Sequence, residues 1–239
     1  MRRMGGGMMT IRRSEDRGHF NQGALDTYHT FSFGDYYDPT YTRFGPLRAL
    51  NEDRLQGGAG FPNHPHREME IITYVLEGEI EQRDILGSST ILRAGDVQRM
   101  SAGQGINHSE INRSSSEPAH YLQFWLLPNV RGRRPSCEQK SFSPELKRGR
   151  LCPIVSPDGE DGSLKVSQDA ILKATLLEPG EALDIPTTPE RQLWVQVAGG
   201  TVKLGGQTMR PGDGAAVRGE ISIPLAAESI SEVLVLDLP

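Results

Sequence analysis

Val75-Leu76-Glu77-Gly78-Glu79, followed by Leu92-Arg93-Ala94-Gly95-Asp96, has a counterpart in Val197-Ala198-Gly199-Gly200-Thr201, followed by Met209-Arg210-Pro211-Gly212-Asp213. Each pair reads as a strand, a glycine turn, a second strand and a Gly-Asp turn that opens another strand. The loop between the two segments is five residues shorter in the second copy. Around them lie short apolar stretches rich in β-branched and aromatic residues, such as Ile71–Leu76, Tyr121–Leu127, Leu193–Val197 and Val233–Leu236. No long segment shows the 3.6-residue period of a helix, and glycine and proline punctuate the chain throughout. The pattern is that of a sandwich or barrel, and the repeat predicts two copies of one β-barrel unit. The expected bounds are an N-terminal unit over 10–130, a linker over 131–152, rich in proline and charge and with one helical turn at Pro144–Lys147, and a C-terminal unit over 153–239.

Composition narrows the function. Of 239 residues, 36% are hydrophobic and 24% charged, enough apolar content for a packed core. The net charge of -5 argues against a direct nucleic-acid binder. The short run Arg131, Arg133, Arg134 reads as solvated. No apolar run approaches the roughly 20 residues of a membrane span. The first nine residues hold two arginines and four methionines without an apolar signal-peptide core, so they are expected to be loose, with Met8 or Met9 as alternative starts. A cytoplasmic location follows as the default, with Cys137 and Cys152 as free thiols.

All six histidines lie in the first half of the chain. His64-Pro65-His66 and His108-Ser109-Glu110 are each spaced two residues apart, so on a strand each pair projects from one face. Either motif alone also fits a surface pair. Together they offer three imidazoles and one carboxylate, a set suited to Fe, Mn, Co, Ni, Cu or Zn. An octahedral ion would keep two open positions, whereas zinc would close the site as a tetrahedron.

The spacing of Gly58, His64, His66, Glu70 and Gly78 resembles the first cupin motif, and Gly95-Asp96 through Gly105-Ile106-Asn107-His108 resembles the second. The run Ser101–Glu110, with Asp26–Phe33, Phe61–His66 and Thr73–Gly78, is similar to the signature of the pirin family over residues 10–127. The resemblance implies an all-β bicupin of two tandem double-stranded β-helix, or jelly-roll, barrels. It implies one divalent first-row metal, iron foremost, held by His64, His66, His108 and Glu110. Other cupins take their carboxylate from the first motif, here Glu70, which the pirin pattern relegates to a supporting place. The C-terminal barrel would be degenerate, with Pro186, Thr188, Leu225 and Ala227 where the first barrel has its four polar residues.

The implied activity is that of a quercetin 2,3-dioxygenase, opening the flavonol ring with O2 and releasing carbon monoxide, with Glu110 as base. The alternative is a metal-dependent regulatory module that binds a protein partner, as eukaryotic pirins do. The expected partners are a small aromatic substrate and O2, with neither nucleic acid nor membrane, and the expected state is a monomer. His29 reads as hydrogen-bonded structure or as support for the site. His19 and His120 read as ordinary polar residues. Phe31, Phe33, Phe124 and Trp125 read as core.

Overall fold

The computed structural model describes residues 2–4, 7–84, 87 and 89–239. The first strands are β1 (Arg2–Met4), β2 (Gly7–Arg12), β3 (Gly18–Asn21), β4 (Leu25–His29), β5 (Leu47–Leu55), β6 (Gly60–His66), β7 (Glu70–Glu77) and β8 (Glu79–Asp84). They are followed by β9 (Ser89–Arg93), β10 (Asp96–Ser101), β11 (Ile106–Ile111), β12 (Ala119–Leu126), β13 (Ser136–Ser141), β14 (Cys152–Ser156) and β15 (Leu164–Lys165). The last are β16 (Ile171–Leu177), β17 (Ala182–Pro186), β18 (Gln192–Gly199), β19 (Val202–Leu204), β20 (Gln207–Met209), β21 (Gly214–Arg218), β22 (Ser222–Ala227) and β23 (Ser231–Leu238). Among the described residues, no helix is long and apolar enough to cross a membrane.

Two compact units result, one of Gly18–Phe142 with Leu164–Gln168, the other of Met1–Arg17, Ser143–Ser163 and Asp169–Pro239. In the first, a sheet in the order β13-β10-β7-β12-β5-β4-β3 accompanies a second sheet, β6-β11-β8-β9. Leu55, Val75 and Tyr121 of the larger sheet pack with Ile80 and Leu92 of the smaller, so the two close over one core. The other unit repeats this plan, with β2-β21-β18-β23-β16 in its larger sheet and β17-β22-β19-β20 in its smaller. Its core is apolar throughout, from Val195, Val197, Val233 and Val235 on one side to Val202, Leu204, Ile223 and Leu225 on the other. The two tandem barrels expected from the repeat are present.

The repeated motifs make the same turns. Gly95 N–H donates to Val75 O at 3.0 Å, and Gly212 N–H to Val197 O at 2.9 Å. The following aspartates accept from the backbone three residues earlier, Asp96 from Arg93 N–H at 2.9 Å and Asp213 from Arg210 N–H at 3.1 Å. These bonds are why a Gly-Asp pair recurs at that place. Gly78 (φ 68°) and Gly200 (φ 75°) are also equivalent. A Cβ would meet Pro118 O at 2.2 Å in the first and Ile230 O at 2.1 Å in the second, so neither turn accepts a side chain.

The expected bounds 10–130, 131–152 and 153–239 do not follow the course of these units. β2 pairs with β21 in the unit of the C-terminal half, with Met9 in its core. β13, inside the expected linker, pairs with β10. Each barrel thereby has a distant segment along the same edge, which removes an open strand edge. β13 is exposed along its whole length, so no hydrophobic pattern marks it. The expected looseness of residues 1–9 is corrected by β2; at residues 1, 5 and 6 that expectation lies outside the described residues. The helical turn Pro144–Lys147 is present, and Arg131, Arg133 and Arg134 are exposed.

A Cβ on Gly60 would lie 2.0 Å from Glu110 O, where β6 runs against β11. Gly60→Ala is therefore expected to cost about 3 kcal/mol, because backbone rather than a flexible side chain must give way. The midpoint and slope of urea unfolding measure this, and an unchanged midpoint would refute the tight contact.

Candidate functional site

β6 and β11 pair antiparallel, with His64 opposite His108 and His66 opposite Ile106, and the register shifts between His108 and Glu110. Along β11 burial alternates, which turns Ile106, His108 and Glu110 inward together. His64, His66 and His108 converge, with their ligating nitrogens all within 4.8 Å of one another. His66 Nε2 and His108 Nε2 are 3.0 Å apart. Two nitrogens bound at about 2.1 Å and at right angles around one ion would have about that separation. His64 Nδ1–H donates to Pro62 O at 2.8 Å, which fixes the ring and leaves the lone pair on Nε2. Burial, then the neighbouring His64, pushes His66 down to about 4. Burial, then His66 and His64, pushes His108 down to about 3. Both rings are thus neutral at physiological pH, the form that binds a metal. His108 Nδ1 is buried without a hydrogen-bond partner among the described residues. This donor set fits a divalent first-row ion.

Glu110 is outside that group of three but lines the same cleft as His64. Its Oε1 accepts from Gln82 Nε2 and from Gln123 Nε2, each at 2.8 Å. Burial, then the nearby Asp53 carboxyl, raises it to about 8, with the Gln123 bond opposing. Glu70 is buried elsewhere and accepts from the Ser101 hydroxyl.

The cleft has a volume of about 280 Å³. One wall is a run of ring contacts, from His66 to Trp125 (4.7 Å between centroids), Phe33 (5.0 Å), His29 (5.1 Å) and Phe20 (5.5 Å). Phe31 and Phe124 are core as expected, but Phe33 and Trp125, also read as core, line this cleft. Polar residues also line the cleft. β5 alternates Leu47, Ala49, Asn51, Asp53 and Leu55 on one face, and Asn51 and Asp53 reach the cleft. Across from them on β4 sit His29 and Thr27. His29 Nδ1–H donates to Asn51 Oδ1 at 2.9 Å, and the Thr27 hydroxyl donates to Asp53 Oδ1. The sequence reading missed Asn51, Asp53, Thr27 and Gln123, although polar residues at alternate positions of apolar strands were a usable signal.

Asp53 is raised from 3.8 to about 7, first by burial and then by Glu52, with the Thr27 bond opposing. A folded-state value above the unfolded one favours the neutral acid. The stability this gives is fully present below pH 3.8 and is lost as pH rises through 7. Across that window the loss is on the order of 4 kcal/mol. Asp53→Asn removes the titrating proton while keeping an acceptor for Thr27. The metal-free variant is expected to gain on wild type steadily from pH 4 to 8 in urea unfolding. Parallel pH profiles would contradict the burial of this carboxyl.

The remaining histidines are structural. His19 stacks on Tyr28 and pairs with Asp26 at 2.6 Å, and His120 pairs with Glu52 at 2.9 Å. Cys137 and Cys152 are both free. In the second barrel Ile185 pairs with Ile223 as His64 pairs with His108. Strand register places Ile185 and Thr187, rather than Pro186 and Thr188, at the positions of His64 and His66, and Ile223 and Leu225, rather than Leu225 and Ala227, at those of His108 and Glu110. The counting from the turn glycine was off by one and that from the Gly-Asp turn by two, because the two copies differ in length between strand and turn.

A pirin family model matches residues 10–126, and a model described as the quercetinase C-terminal cupin domain matches 153–238. A quercetin 2,3-dioxygenase of Escherichia coli K12 is 44% identical over 232 residues, 97% of this chain and 99% of the relative. The chain belongs to the pirin family. Two solved structures agree with this pirin along its length. YhhW from Escherichia coli superposes with a TM-score of 0.93 at 44% identity, covering 97% of this chain and 98% of that one. The bacterial pirin YhhW in complex with nickel(II) gives 0.92 at 44% identity, covering 97% and 99%.

Proposed function

We propose that this pirin is a metal-dependent dioxygenase that opens the central ring of a flavonol such as quercetin and releases carbon monoxide. The observation that carries the reading is the joining of three converging imidazoles and a buried carboxyl to an aromatic-walled cleft. The relative named quercetin 2,3-dioxygenase and the nickel(II) complex of YhhW support it. In this reading His64, His66, His108 and Glu110 hold one divalent ion, with iron first among Fe, Mn, Co, Ni, Cu and Zn.

When bound, such an ion supplies Lewis acidity that lowers the pKa of a coordinated hydroxyl. The chain's own residues do the rest. Trp125, Phe33 and Phe20 offer flat faces on which the fused rings stack and from which water is excluded. Glu110, whose carboxyl is made more basic by burial and by the nearby Asp53, is the group in the cleft that would accept the flavonol 3-hydroxyl proton. Gln82 and Gln123 hold its Oε1, so the carboxyl is oriented before substrate arrives.

The test is direct. Protein loaded in turn with each ion is incubated with quercetin, and flavonol absorbance, oxygen consumption and carbon monoxide are followed. Equimolar loss of flavonol and oxygen with equimolar carbon monoxide is expected with at least one ion. No turnover with any of them would overturn the assignment.

A further inference from the structure

The polar side of the cleft is not required by the fold. The second barrel fills the same inner face with apolar residues. Register places Val195 where the first barrel has Thr73, Val235 where it has Gln123, and Leu225 where it has Glu110. The first barrel instead carries two polar rows across neighbouring strands. One runs Thr73, Gln123, Asn51, His29, and the other Tyr121, Asp53, Thr27. Buried polar groups cost stability unless they are satisfied, so two such rows beside a cleft point to a ligand that they meet.

We propose that the Thr27–Asp53 and His29–Asn51 pairs form a subsite for phenolic hydroxyls, selecting flavonols hydroxylated on the ring joined beside the reacting carbon. This rests on the dioxygenase reading of the site. Each pair is fixed by its internal bond. With Asn51 Oδ1 taken by the His29 ring, the Asn51 amide nitrogen carries the donors. Thr27 takes one oxygen of Asp53, and no hydrogen bond from the described residues reaches the other. The subsite therefore offers acceptors and donors side by side, as a vicinal diol requires.

Its position selects the ring. Gln123 bonds Glu110 and stands directly opposite Asn51, one strand spacing of about 4.8 Å away. A flavonol whose 3-hydroxyl meets Glu110 thus turns the ring on the adjacent carbon toward Asn51 and Asp53.

Galangin, kaempferol and quercetin differ only in having zero, one or two hydroxyls on that ring, so they serve as probes. Calorimetric titration of nickel-loaded protein without oxygen measures their affinities apart from turnover. Wild type is expected to bind quercetin about tenfold more tightly than galangin, with kaempferol between. Asp53→Asn and Thr27→Val are each expected to reduce that ratio to less than about threefold. Equal affinities in wild type, or a ratio unchanged in both variants, would overturn the subsite. The wild-type series decides even where a variant folds poorly. Equal affinities with normal oxygen uptake would sink the subsite alone, whereas no binding by any of the three would sink the dioxygenase reading with it.

Discussion

His108→Leu is expected to leave less than about a tenth of the metal of wild type on the purified protein and no measurable loss of flavonol. His108 faces both other imidazoles, 3.0 Å from His66 by Nε2 and 4.7 Å from His64 by ring centroid. Removing one of three imidazoles from a shared ion lowers affinity by at least about 10- to 100-fold. Leucine is chosen because the second barrel has a branched aliphatic residue of the same size there, Ile223 opposite Ile185 within an apolar core. Folding should therefore survive, and stability should equal or exceed wild type, since the buried and unpartnered Nδ1 is removed. Elemental analysis together with thermal unfolding separates the outcomes. Full metal content in a folded variant would contradict the shared site.

The second large effect separates two carboxyls that sequence motifs make rivals. Glu110→Gln is expected to lower turnover by at least about 100-fold and metal content along with it, because the amide neither accepts a proton nor carries charge. Glu70→Gln is expected to keep metal content within about twofold of wild type. Burial pushes the Glu70 carboxyl up, with the Ser101 bond and Arg99 and Arg133 only partly opposing, so its replacement is felt in stability instead. Metal analysis and oxygen uptake on both variants check this. Loss of metal with Glu70→Gln and retention with Glu110→Gln would reverse the assignment.

The barrels were legible because their turns have strict local demands. A Gly-Asp turn and a glycine backed against a carbonyl leave a mark on the sequence wherever they recur, as at Gly95-Asp96 and Gly212-Asp213. The histidines were legible because two-residue spacing on a strand is a statement about one face. What stayed hidden depended on pairing between distant segments. β13 is exposed and polar, and only its hydrogen bonds to β10 make it a strand. Asp53 and Asn51 sit within a strand that reads as apolar with charges, and their meaning appears only when β4 brings Thr27 and His29 opposite. Trp125 and Phe33 read as core because an aromatic side chain gives the same signal whether it faces packing or a cleft. Glu110 was named from the sequence, but its bonds to Gln82 and Gln123 needed β8 and β12 to be placed.

The central claim is tested most directly by a crystal structure of the protein loaded with iron(II) or nickel(II), with the ion located by anomalous scattering. The account predicts one peak at about 2.0–2.3 Å from one nitrogen each of His64, His66 and His108 and from a Glu110 oxygen. A peak away from the three imidazoles, or one bound by them while Glu110 points elsewhere and Glu70 or water completes the set, would contradict it.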